Sequence, residues 1–175
     1  ARAFAELCAC SSNARLVLAG GANLWQSGFG TVPAADHEYE TDVRNTLVAA
    51  KNRGWVRWLG VVSPSAMPGI YAASDVVVVP SLQEAFGLVI VEALASGKPV
   101  IASRVGGIPE LTSTANAILV PAEDSAALTA AMRVLIEQPV RLRLAQHAEP
   151  SVHGLTWSRA AERLNVIYKQ FMRCG

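Results

Sequence analysis

The sequence has few cysteines and almost no net charge, and each shortage excludes a class of protein. Its 175 residues include three cysteines and carry a formal net charge of +1 at pH 7. Cys8, Cys10 and Cys174 cannot pair into an even disulfide framework, and their spacing does not match a C-x-x-C metal motif. A nearly balanced charge leaves no basic footprint for nucleic acid. We therefore expect reduced thiols and no nucleic-acid partner.

Long apolar runs are also missing, although 51% of the residues are hydrophobic. A helix that spans a bilayer needs about 20 consecutive apolar residues, and charges such as Glu92 and Arg133 interrupt each candidate. Residues 1–10 lack the basic segment and apolar core of a secretory signal. We expect one domain over residues 1–175 in the cytoplasm. Peripheral attachment to a membrane stays open.

Motifs of several common catalytic and metal sites are absent as well. The chain has no G-x-S-x-G nucleophile elbow and no P-loop lysine motif. Asp36, His37 and Glu38 carry metal-binding side-chain types, but adjacent residues rarely converge on one ion. We interpret these three residues as a solvated cluster and expect no metal site.

The stretch over residues 75–110 contains a strand–helix–strand unit. Residues 76–79 form a valine run without polar alternation, which is typical of a strand buried on both faces of a parallel sheet. The pattern then predicts a helix over about residues 85–96 and a second strand over residues 100–102. This order is the βαβ unit of an α/β domain.

The rest of the chain predicts further helices and strands in alternation. Strands are expected at residues 15–19, 56–59 and 117–120, and helices at 1–7, 38–53, 66–73, 124–137, 138–147 and from Thr156 onward. Pro64 is expected at the start of the helix over 66–73, and residues 22–37 form a long loop whose role the sequence does not indicate. We expect an α/β fold with a Rossmann-like parallel sheet flanked by helices.

Two glutamates are the main candidates for chemistry. The helix over residues 85–96 is apolar nearly all round, so we expect it to be largely buried, yet it contains Glu92, and Glu84 precedes it. Burying an unpaired carboxylate is costly, so Glu92 must meet hydrogen-bond donors or reach the open end of the helix. Two surface carboxylates on a solvated helix are the alternative, which the apolar neighbours of Glu92 disfavour. We expect both to face the crevice at the carboxyl edge of the sheet.

The sequence blocks around these glutamates resemble a known family. E-A-F-G at residues 84–87 is followed by Glu92, then by A-L-A-S-G-K-P-V-I-A-S and G-G-I-P-E. This order is similar to the nucleotide-binding, C-terminal half of retaining glycosyltransferases with the two-Rossmann-domain (GT-B) fold. More narrowly, it resembles the family 4-like enzymes called glycosyl transferases group 1. The dense match covers residues 59–110, and looser features extend to about Phe171.

The resemblance implies a role for each residue of these blocks. Glu84, the expected catalytic residue, contacts hydroxyls of the donor sugar, and Glu92 holds the ribose of the nucleotide. Backbone amides at the step from Phe86 through Gly87 to Leu88 approach the diphosphate, in keeping with the positive end of a helix dipole. The turn at Gly106 and Gly107 offers further amides as an anion-binding nest, with a purely structural turn as the alternative.

The chain also departs from the family pattern. The family's nucleotide-binding domain normally opens with a central strand, followed by an arginine and a lysine that neutralise the leaving diphosphate. None of these is present, and neither is the acceptor-binding domain. We therefore expect another segment or another chain to complete the sheet, a dimer through the incomplete sheet being one way. We also expect the isolated chain to be inactive in sugar transfer.

The function implied by the resemblance is transfer of a sugar from a nucleoside-diphosphate donor such as a UDP-sugar, in carbohydrate biosynthesis. Two alternatives stay open: a non-catalytic module that binds nucleotide-sugars or partners, and a sugar-nucleotide epimerase of related fold. Base, sugar and acceptor are not indicated. No cofactor is expected besides the donor substrate.

Nucleotide binding is expected to need no divalent metal. The sequence lacks the D-x-D motif of metal-dependent glycosyltransferases, and helix amides can meet the diphosphate directly. Calorimetric titration of the chain with a nucleoside diphosphate should give the same affinity with and without a chelator. A large loss of affinity on adding chelator would contradict this expectation.

Overall fold

The computed structural model describes residues 1–11, 13–20 and 34–172, without the side chains of residues 34–37. The strands within these ranges are β1 (Leu16–Ala19), β2 (Val56–Gly60), β3 (Val77–Val79), β4 (Val100–Ser103) and β5 (Ala117–Val120). The helices are α1 (Arg2–Cys10), α2 (Ala34–Asn52), α3 (Met67–Ala73), α4 (Leu88–Ala95), α5 (Ile108–Leu111), α6 (Ser125–Ile136), α7 (Gln138–Gln146), α8 (Ala148–Val152) and α9 (Trp157–Met172). None of these helices has the length and apolar character needed to cross a membrane.

All the strand pairs described are parallel, as expected for βαβ units. β4 lies between β3 and β5, so that Ile101 pairs with Val78 on one side and Ile118 on the other. All four residues of β4 are buried. Val100 and Ala102 pack in a cluster with α4 and α8, whereas Ile101 packs with α6 and α7. Helices therefore cover both faces of this sheet, which explains why the strand sequence has no polar alternation.

The described strands form two separate sheets. β1 pairs only with β2, and β3 begins the three-stranded sheet, so β1 and β3 each have a hydrogen-bonded partner on one side only. Helix α1 contacts both α2 and α6, and Met132 of α6 packs against the cluster of Phe4, Leu7 and Leu47. Helix packing thus joins two sheets that no strand pairing joins.

Several predicted boundaries differ from the structure. Helix α4 begins at Leu88 rather than near Ala85, because Gly87 is its N-cap and has a φ of 92°. Helix α3 begins at Met67 with Pro68 in its first turn, so Pro64 lies in the preceding turn and not at the helix start. Residues 34–37 are helical rather than part of a loop, and residues 21–33 lie outside the described part of the chain.

The carboxyl-terminal elements agree with their sequence signals. Asp124 caps α6, its carboxylate accepting a hydrogen bond from the amide of Ala127 at 2.8 Å. Pro139 stands in the first turn of α7, where its missing N–H costs nothing. Thr156 precedes α9 and accepts from the amide of Arg159 at 3.3 Å. The apolar face predicted for this helix is present but exposed, at Leu164, Ile167, Tyr168 and Phe171.

Stability should depend on the centre of the three-stranded sheet. Ile101 has no exposed surface and packs against helices and strands on its side of the sheet. Ile101→Ala should lower the free energy of unfolding by about 2–5 kcal/mol, through lost transfer energy and a cavity. The same substitution at the exposed Ile167 of α9 should change it by less than about 0.5 kcal/mol. Urea unfolding of both variants measures the difference, and equal losses would show that α9 is buried in solution.

Candidate functional site

The turn between β3 and α4 holds the first candidate carboxylate. Glu84 is half-buried, and its Oε1 accepts a hydrogen bond from the amide of Gly87 at 3.1 Å. Gly87 has a φ of 92°, and a Cβ there would come within 3.3 Å of Leu111 and 3.4 Å of Ile90. A side chain at this position would therefore be strained by the backbone and crowded by its neighbours. The turn holds one oxygen of Glu84 at the start of α4 and leaves the other for a further partner.

The turn after β4 packs directly on this first turn. A Cβ at Gly106 would overlap the carbonyl oxygen of Glu84, and a Cβ at Gly107 would lie 2.7 Å from the carbonyl oxygen of Ala85. Only glycine allows the two backbones to approach this closely. The two motif blocks, which are about 20 residues apart in sequence, thus meet edge to edge. The sequence motifs indicate both blocks but not their contact.

Backbone N–H groups without a protein acceptor lie on both sides of this contact. Across the described residues, the amides of Leu88 and Val89 at the start of α4 donate to no protein acceptor, and neither do those of Gly106 and Gly107. Gly106 has a φ of 51° and Gly107 a φ of −76°, the alternating handedness that turns successive N–H groups toward one side. Helix dipole and free amides both favour an anion at such a place.

The second carboxylate is held by Tyr71, a residue that no sequence motif indicates. The hydroxyl of Tyr71 in α3 donates to Oε2 of Glu92 at 2.8 Å. Tyr71 is only 4% exposed, whereas Glu92 is exposed. Burial, and then the hydrogen bond and charge of Glu92, raise the pKa of the Tyr71 hydroxyl. Tyr71 precedes Glu92 by 21 positions, so no local spacing signals the contact. The only sequence cue is one polar atom in an otherwise apolar helix.

The expectation that α4 is largely buried is wrong. Ile90, Ala93 and Leu94 are fully buried against the sheet and α8, but Leu88 is 65% exposed and Glu92 is exposed too. The reason is placement: the described elements cover one side of α4 and leave the other open. Glu92 therefore meets a donor, as predicted, but at the surface rather than inside the core.

Comparison with known proteins identifies the family. The family model described as "Glycosyl transferases group 1" matches residues 1–138. The chain belongs to this family. Among the group 1 relatives, a D-inositol 3-phosphate glycosyltransferase of Corynebacterium diphtheriae is 36% identical over 137 residues, which cover 77% of this chain and 31% of the relative. The chain thus spans less than a third of that glycosyltransferase.

Two solved structures resemble this group 1 glycosyltransferase domain. Sucrose-phosphate synthase from Thermosynechococcus elongatus superposes with a TM-score of 0.78 and 28% identity, over 99% of this chain and 42% of the other. HepE from Anabaena, solved in complex with UDP-glucose, superposes with a TM-score of 0.68 and 26% identity, over 86% and 39% of the two chains. Both likenesses confirm the predicted fold, the Rossmann-like half of a GT-B glycosyltransferase. The roles assigned to Glu84, Glu92 and the glycine turns stay predictions.

The described residues contain no group of side chains suited to bind a metal ion. Within those ranges no three His, Cys, Asp or Glu side chains are grouped to hold an ion. Asp36 and His37, which we interpreted as a solvated cluster with Glu38, lie outside the part whose side chains are described. Cys8 and Cys10 are free thiols.

The glycine turn after β4 should be essential for the geometry of the group 1 site. Gly106→Ala would place a methyl group on the Glu84 carbonyl, so the two turns must separate. We expect a loss of about 1–3 kcal/mol in stability from the overpacking and at least a tenfold loss of nucleotide affinity. Gly69→Ala in α3, where a Cβ meets open space, is the matched control and should be neutral. Thermal unfolding and calorimetry measure both effects, and unchanged nucleotide affinity in Gly106→Ala would contradict the assignment.

Proposed function

We propose that this domain binds the nucleotide-sugar donor of a retaining glycosyltransferase, with UDP-sugars as the donor class. The observation that carries the proposal is the backbone contact between the turn at Gly106 and Gly107 and the turn at Glu84 and Ala85. Through this contact, a carboxylate suited to sugar hydroxyls stands beside free amides suited to a diphosphate. A sugar diphosphate needs these two chemistries next to each other.

The diphosphate is the part of the donor that the amides would receive. The free N–H groups of Leu88, Val89, Gly106 and Gly107 lie on both sides of the turn contact, and the dipole of α4 adds positive potential at its first residues. As the bond to the sugar breaks, negative charge grows on the leaving diphosphate. Preorganised amides stabilise that charge without reorienting, which is usually the largest catalytic contribution.

The two glutamates would then hold opposite ends of the donor. Glu84 has one oxygen bound to the amide of Gly87, so its second oxygen accepts hydrogen bonds from hydroxyls of the transferred sugar. Glu92 is on the open side of α4, beyond the diphosphate amides and at the surface. Its carboxylate would accept from the hydroxyls of the ribose. The exposed Phe86 and Leu88 would contact the donor between these ends.

The choice of a UDP-sugar is supported by the relatives. HepE, whose fold this domain shares, was solved with UDP-glucose. The relative from Corynebacterium diphtheriae is named a D-inositol 3-phosphate glycosyltransferase, but this chain spans less than a third of its length, so we propose no acceptor. No divalent metal or other cofactor takes part in this proposal, because the amides and helix dipole face the diphosphate.

A complete enzyme would also need a partner for the open surfaces of this domain. The strands β1 and β3 each have one unpaired edge in the described structure, and unpaired edges readily accept an added strand. We propose that an acceptor-binding domain, or another chain, supplies this strand together with cations for the diphosphate. A dimer through the same edges is the second way to complete the sheet.

Substitution of the two glutamates separates their roles. Glu92→Ala should weaken binding of UDP by about 10- to 100-fold, since a lost charge-assisted hydrogen bond costs about 1.5–3 kcal/mol. Glu84→Ala should leave UDP affinity nearly unchanged but abolish the difference in affinity between UDP and UDP-glucose. Calorimetry with UDP, GDP, ADP and UDP-glucose measures both effects and identifies the base.

The control for these variants is Glu162→Ala, which removes an exposed carboxylate from α9 and should change no affinity. Equal losses of UDP affinity in Glu84→Ala and Glu92→Ala would contradict the division of roles. Failure of the unsubstituted domain to bind any of the four ligands would contradict donor binding itself.

A further inference from the structure

We infer that Tyr71 is a positioning residue, which orients Glu92 to receive the ribose hydroxyls of the donor. The inference rests on the proposed function, since it assumes that Glu92 binds the ribose. Its structural basis is a single contact between two helices. The Tyr71 hydroxyl of α3 donates to Oε2 of Glu92 in α4 at 2.8 Å, so Oε1 stays available to accept from a ligand.

The burial of the tyrosine makes this contact more than a surface hydrogen bond. The Tyr71 ring belongs to a core cluster that includes Ile90, Leu94 and Val152, and only 4% of the residue is exposed. A phenylalanine would fill the same space without a polar atom to satisfy. The hydroxyl at the end of a fixed ring therefore works as a rigid donor, and a rigid donor selects one orientation of a flexible glutamate.

Helix α3 is itself held in place by hydrogen bonds, so the Tyr71 hydroxyl has a defined position. The Nζ of Lys98, which follows α4, donates to the carbonyl oxygen of Ala72 at 2.9 Å. The hydroxyl of Ser74 donates to the carbonyl oxygen of Ile70 at 2.8 Å and closes the end of α3. The Tyr71–Glu92 bond ties α3 to α4, and the Lys98 contact ties α3 to the segment that follows α4. Glu92 is thus oriented before a nucleotide arrives, which lowers the entropy cost of binding.

The tyrosine also keeps its proton over the whole neutral range. Burial, followed by the hydrogen bond and charge of Glu92, raises the pKa of the hydroxyl. A raised pKa favours the neutral phenol, so Tyr71 keeps the proton that it donates to Glu92. The contrary interpretation is that Glu92 exists only to satisfy a buried hydroxyl, in which case removing the hydroxyl would leave nucleotide binding unchanged.

The test uses Tyr71→Phe, which keeps the packed ring and removes the hydroxyl. We expect UDP affinity, measured by calorimetry, to fall about three- to tenfold. Binding of 2′,3′-dideoxy-UDP, which has no ribose hydroxyls, should be the same in the variant and the unsubstituted chain. In a Glu92→Ala background, Tyr71→Phe should cause no further loss, because the tyrosine acts through the glutamate. Tyr168→Phe, which removes an exposed hydroxyl from α9, is the matched control and should change nothing.

Each outcome decides between the inference and the function on which it rests. If Glu92→Ala weakens UDP binding and Tyr71→Phe does not, the positioning role is wrong and the proposed function stands. If Glu92→Ala leaves UDP binding intact, the ribose role of Glu92 and the inference fall together. Equal losses for UDP and the dideoxy analogue in Tyr71→Phe would show damaged packing and overturn the inference. If Tyr71→Phe fails to fold, Glu92→Asp replaces it in the test. The shorter side chain of Glu92→Asp cannot reach both the Tyr71 hydroxyl and the ribose. This variant must therefore lose affinity for UDP but not for dideoxy-UDP.

Discussion

The close approach of two backbones, at Gly106–Gly107 and at Glu84–Ala85, is the constraint on which the site depends. No side chain fits between them, because a Cβ on either glycine would meet a carbonyl oxygen of the facing turn. The contact places the amides that follow β4 next to those that begin α4. It also holds Glu84 at the edge of both sets. A side chain in either position would separate the amide groups that we propose act on one ligand.

The support for this contact comes from the three-stranded sheet. β4 is buried throughout and pairs with β3 and β5, so the turns after β3 and β4 leave the same sheet edge from adjacent strands. Parallel strands place their carboxyl ends together, and open α/β sheets bind ligands at that edge. The fully buried Ile90, Ala93 and Leu94 anchor α4 on the sheet. The candidate site is therefore built on a buried core, while the outer side of α4 stays exposed.

The open surfaces of the domain are of two kinds: exposed apolar side chains, and strand edges without a hydrogen-bonded neighbour. Both kinds of surface are normally buried inside a domain. The outer side of α4 exposes Leu88 and Val89, and α9 exposes an apolar face that includes Phe171. β1 and β3 each have a free edge within the described ranges. Surfaces of this kind are stable in water only at a cost, and contact with another domain or chain would remove that cost.

The sequence by itself determined the fold class, most of the helices and strands, and the identity of Glu84 and Glu92 as candidates. Local signals were enough for these: the valine run of β3 and Asp124 before α6 act through the residue itself or its near neighbours. The exposure of Glu92, the Tyr71–Glu92 bond and the contact between the two turns were decided only by the tertiary structure. The hydrogen bond and the turn contact each join residues about 20 positions apart. The exposure of Glu92 could not be predicted either, because periodicity along a helix cannot tell which of its apolar sides will find a partner.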